Sequence, residues 1–96
     1  MTNWTLMASH GTVLFYLATH DEATIREVAI AAELTERRVS QIIRDLSDDR
    51  VLIVGRRGRR NFYDINRDAT FATPMSNVRL GTVLDLIRSA PRGASA

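Results

Sequence analysis

Apolar residues recur along this chain at two spacings, and the switch between them divides it into elements. Over residues 10–19, Val13, Leu14, Tyr16, Leu17 and Ala18 predict a largely buried first helix, with Ser9 as its cap. His20, Asp21, Glu22 and Ala23 break the pattern and read as a loop. Thr24 and Glu27 then stand three apart, a hydroxyl and a carboxylate able to satisfy each other's backbone N–H groups where a helix starts. Ile25, Val28, Ala29 and Ala32 line one face of the short second helix that follows, and the two small alanines leave room for a close helix crossing. Leu34 and Thr35 form the next turn. Thr35 caps a third helix running to about Asp49, in which Val39, Ile42, Ile43 and Leu46 recur at i, i+3, i+4 and i+7.

Beyond that helix the spacing changes. Residues 51–54 and 62–65 are β-rich runs on either side of Gly55 and Gly58, the pattern of a hairpin whose turn dihedrals glycine supplies. Residues 66–77, with Pro74 among them, read as an irregular connection. Val78, Leu80, Val83, Leu84 and Ile87 predict a last amphipathic helix, weakened at Gly81. The expected fold class is mainly α with a small β-hairpin. One domain covers residues 1–90, and 91–96 form a flexible tail of small residues.

The polar positions of the third helix carry candidate chemistry. Arg37, Ser40, Gln41 and Arg44 fall opposite its apolar row, and such side chains hydrogen-bond phosphates and base edges. Arg56, Arg57, Arg59 and Arg60 then crowd the hairpin tip, more charge than protection of a strand edge requires. Net charge is only +2, but residues 35–67 hold nine arginines against five acids, so that segment is +4 and the rest of the chain −2. Every basic residue is arginine, whose planar fork of donors suits phosphate and guanine edges.

Composition excludes several other classes. There is no cysteine, hence no disulfide and no thiolate metal site. His20 beside Asp21 and Glu22 lacks the ligand spacing of a metal centre, and His10 reads as an ordinary first-turn residue. No phosphate-binding glycine loop, nucleophile elbow or pair of carboxylates in an apolar setting occurs, so neither an enzyme nor a cofactor is expected. The apolar stretches are too short to cross a bilayer, and the N-terminus lacks the pattern of an export signal, so a cytoplasmic protein without membrane contact is expected.

In order and spacing, these elements resemble a winged helix-turn-helix transcriptional regulator, most closely the small MarR-like type. The likeness runs from about Asn3 to Ile87. Val28, Ala29, Ala32, Leu34, Val39 and Ile42 match the apolar and small positions of the helix-turn-helix, and residues 57–63 resemble a wing with a glycine turn, arginines and an anchoring aromatic. Two departures are Glu33 and Arg50, where the family commonly has glycine. The resemblance implies a sequence-specific DNA-binding regulator, a repressor by expectation, with the recognition helix at about 35–49 in the major groove. The wing at 55–61 would lie on backbone or minor groove. Arg37, Arg38 and Gln41 are then candidates for base edges. Thr35, Ser40 and Arg44 would hold phosphates, as would Thr24 and Arg26 at the start of the second helix. Double-stranded DNA is the expected partner, and a homodimer the expected assembly. Its contacts would come from the first and last helices and residues 4–7 (Trp4, Leu6, Met7). The alternative is a winged-helix adaptor that binds protein without DNA.

Overall fold

The computed structural model describes residues 7–90, so Trp4, Leu6 and the expected tail at 91–96 lie outside the described residues. Among the described residues, four helices and two two-stranded antiparallel sheets form a mixed α/β fold in the order α1 (Ser9–Thr19), α2 (Ile25–Ala32), α3 (Glu36–Asp48), β1 (Leu52–Arg57), β2 (Arg60–Ile65), β3 (Thr70–Ala72), β4 (Asn77–Arg79) and α4 (Leu80–Ser89). The buried core runs through α1 (Val13, Leu14, Phe15, Leu17, Ala18), with Val28 and Ala29 of α2 and Val39 and Ile42 of α3. Leu52, Tyr63 and Ile65 of the first hairpin and Leu80 and Leu84 of α4 complete it. Ile43 and Leu46 are half-buried against it, so the predicted apolar row of α3 does face inward. Among the described residues no helix is long and apolar enough to cross a membrane.

The start of α2 is fixed as its sequence requires. Thr24 Oγ1 accepts from the Glu27 N–H, and the Thr24 N–H donates to Glu27 Oε1 at 2.8 Å. That backbone hydrogen bond, then the Thr24 hydroxyl, holds the Glu27 carboxyl below the usual carboxylate range. The two residues that stand where the family commonly has glycine both take left-handed backbone. Glu33 has φ 57° and Arg50 has φ 61°. Each closes a helix by a Schellman pattern, with Leu34 N–H donating to the Ala29 carbonyl and Val51 N–H to the Leu46 carbonyl. Because a side chain is strained there, Glu33→Gly and Arg50→Gly are each expected to stabilise the fold by about 0.5–1 kcal/mol, read as a higher urea midpoint at unchanged slope.

The structure corrects four boundaries. Ala8, not Ser9, is the cap of α1, and its side chain makes no capping bond. The hairpin strands extend beyond 51–54 and 62–65, so Arg56, Arg57 and Arg60 lie on strands and only Gly58 and Arg59 form the turn. Gly58 alone of that turn has positive φ, as a two-residue loop of type II′ requires. Residues 66–77 are not irregular throughout: β3 pairs with β4 around Thr73, whose hydroxyl accepts from the Met75 and Ser76 N–H groups. Val78 therefore belongs to a strand, and α4 begins at Leu80. The first N–H groups of α4, from Leu80 and Gly81, donate to the Ala69 and Arg67 carbonyls. A Cβ at Gly81 would lie 3.0 Å from that Arg67 oxygen, so glycine permits this close approach rather than merely weakening the helix.

Candidate nucleic-acid interface

Thr35 sets the direction of α3 by accepting from the Arg38 N–H at 3.0 Å. With Val39 and Ile42 buried, helical geometry turns Arg37, Arg38, Gln41 and Arg44 to the exposed side. Ser40 is half-buried at the edge of that row. Gln41 Nε2 donates to Asp45 Oδ1 at 3.0 Å, and Arg44 Nη1 donates to Gln41 Oε1 at 3.3 Å. Asp45 Oδ2 lies 3.0 Å from His10 Nε2 on α1.

The hairpin is held to the helices at its base. Tyr63 is buried, as its place under the arginine tip predicts, and its N–H donates to the Asp21 carbonyl in the α1–α2 loop. The register pairs Val54 with Tyr63 and Arg56 with Asn61, so strand alternation puts all four on one face. On the other face Gly55 pairs with Phe62 and Arg57 with Arg60. A Cβ on Gly55 would meet the Phe62 ring at 2.5 Å, so the ring occupies the space a side chain there would need. The Arg57 guanidinium covers it at 4.7 Å from the centroid.

Between hairpin and helices opens a cleft of about 490 Å³, which gathers Thr24, the cap of α2, and Arg26 of α2 with Arg56, Arg59 and Arg60 of the hairpin. Five of the predicted site residues thus meet around one concavity. Arg37, Arg38, Ser40, Gln41 and Arg44 do not line it, and the residue that α3 contributes to the cleft is Glu36. Thr35 and Arg57 lie outside its lining as well. Asn61 lines the cleft and was not expected. Counting back two from the buried Tyr63 would have found it.

Among the described residues, only Arg60 of the eight candidate arginines forms an ion pair, with Glu22 at 3.7 Å, and both groups are more than half exposed. Arg26, Arg37, Arg38, Arg44, Arg56, Arg57 and Arg59 have no carboxylate of the described residues at ion-pair distance. Among the described residues, no acid of α3 comes within ion-pair distance of its arginines. Outside the site, three arginines are committed: Arg67 grips Asp85 through both carboxylate oxygens at 2.9 Å, Arg79 pairs with Asp68, and Arg88 donates to the Ala18 carbonyl near the end of α1. His20 stacks on Tyr16 with ring centroids 4.1 Å apart, and among the described residues no three His, Asp or Glu side chains cluster as a metal site would need.

No protein-family model, curated protein or solved structure matches the chain.

Proposed function

We propose that the protein is a sequence-specific DNA-binding regulator of winged helix-turn-helix type, acting as a repressor. α2 and α3 form the helix-turn-helix and the β1–β2 hairpin the wing. The observation that carries this reading is the set of seven exposed arginines without carboxylate partners on α2, α3 and the hairpin. A guanidinium with no carboxylate partner can take a phosphate without first breaking an ion pair, and Arg44 keeps further donors beside the one it gives Gln41. An α-helix of about 10–12 Å diameter fits the major groove, which is about 12 Å wide. α3 enters it, with Arg37 and Arg38 directed to guanine and Gln41 to adenine. The cleft arginines follow the flanking backbone. Two copies bind together, through α1, α4 and residues 4–7; on α4, Leu86 is 67% exposed and supplies apolar surface.

Selection of bound duplexes from a random DNA pool tests this. The expected consensus has two related half-sites about one DNA turn apart, 10–10.5 bp between centres. Arg37→Ala is expected to lose the preference at one position of each half-site and to keep the others. Recovery of no preferred sequence would remove the reading. A second reading, a protein-binding adaptor, is favoured by one observation. At the far end of α3 an apolar hollow of about 380 Å³ is lined by Leu14, Phe15, Leu46, Phe71 and Val83. An adaptor would yield no enrichment in the same selection.

A further inference from the structure

We infer that His10 and Asp45 are positioning residues for Gln41, presetting its amide to read adenine, an inference that rests on the DNA-binding function proposed above. A glutamine amide has two N–H donors and two acceptor lone pairs. Here one donor is used on Asp45 and one lone pair on Arg44. A guanidinium only donates and a carboxylate only accepts, so turning the amide over would break both bonds. What remains on Gln41 is one donor and one acceptor. Adenine presents the complement in the major groove, an N7 acceptor beside an N6 donor, whereas guanine presents two acceptors.

Asp45 is itself held. One carboxylate oxygen takes Gln41 and the other takes His10, which stands on a different helix thirty-five residues earlier in the chain. Because the carboxylate accepts, His10 Nε2 carries the hydrogen. Hydrogen bonds from His10 first and Gln41 second keep the Asp45 carboxyl below the usual carboxylate range, and the nearby Arg38 charge adds to this. The reader on α3 is thereby tied to α1, the central helix of the core. A side chain ordered before binding loses less conformational entropy when it meets its base.

The test compares wild type, Q41A, D45A, H10A and H10Q by selection from a random duplex pool and by binding to the selected site with each base substituted in turn. Wild type is expected to prefer adenine at one position of the half-site, and Q41A to lose that preference. D45A and H10A should cut the discrimination there about three- to tenfold, part of what a bidentate pair supplies, with preferences elsewhere and the salt slope unchanged. H10Q, whose amide N–H can still donate to Asp45, should restore it. Adding D45A to Q41A should cost nothing further at that position. His10 and Asp45 are roughly 40% exposed, so the fold should persist, which a thermal melt of each variant checks. If Q41A flattens the adenine position while D45A and H10A leave it intact, the positioning role is overturned and DNA reading stands. If wild type selects nothing, DNA reading fails, and the positioning role with it.

Discussion

Replacing Arg56 and Arg59 together with alanine is expected to weaken binding to every duplex by roughly 60-fold at 0.1 M salt, whatever its sequence. Each arginine on a phosphate releases about 0.9 of a counterion, which at that salt is worth about eightfold in affinity. The same release predicts that the slope of log affinity against log salt becomes shallower by about 1.8. These two positions are chosen because both line the cleft and neither has a carboxylate partner. Arg60 supplies the internal contrast. It pairs with Glu22, so DNA must compete with a bond already made, and Arg60→Ala should cost clearly less than either of the others. Fluorescence anisotropy on two unrelated duplexes, between about 50 and 200 mM salt, measures both quantities. A loss confined to one sequence would turn the hairpin into a base reader. No loss at the lowest salt would take it out of the interface.

The parts of this fold that were legible in the sequence are those encoded within a few residues. The capping box at Thr24 and Glu27, the cap at Thr35, the apolar row of α3 and the buried Tyr63 all depend on spacings of two to seven, and each is observed. Even the departures from glycine at Glu33 and Arg50 were readable, because a helix end that reverses direction needs a left-handed residue whichever side chain occupies it. What escaped is short or distant. β3 and β4 span three residues each, and every residue of β3 is exposed, so no alternation marks it. Val78 continues the spacing of Leu80 and Val83 only by coincidence; the carbonyls of Arg67 and Ala69 decide where α4 starts. The candidate site divides along the same line. Arginine content marks the hairpin and α3, but which arginines line the cleft depends on how the hairpin sits against α2: Arg60 lines it from the strand face opposite Arg56, and Arg57 does not. The bond between His10 and Asp45 joins two helices across thirty-five residues, and no local pattern encodes it.

Ile42→Ala is expected to be the most damaging single change in α3, although Ile42 touches no ligand in any functional reading offered above. Its side chain is fully buried, in a helix that packs on both α1 and α2. Truncation removes three carbons from the core and leaves a cavity that the surrounding helices can only partly close, at a cost of about 2–5 kcal/mol. Domains of this size have about 5–15 kcal/mol of stability in all, so the variant should melt about 10–20 °C lower. Ile30→Ala removes the same atoms from a position 71% exposed on α2, where little apolar surface is taken from water. That change should stay within about 0.5 kcal/mol of wild type. The contrast between two identical substitutions isolates burial from helix propensity, since alanine is the better helix former at both sites. Thermal melts followed by circular dichroism decide it, and equal shifts for the two variants would mean that α3 does not seat on the core as described. Ile42 also fixes which side of α3 turns outward. A loosened α3 should therefore lose discrimination between DNA sequences well below its melting temperature while the wing arginines keep their hold on backbone. Specificity would then decay before affinity as Ile42→Ala is warmed.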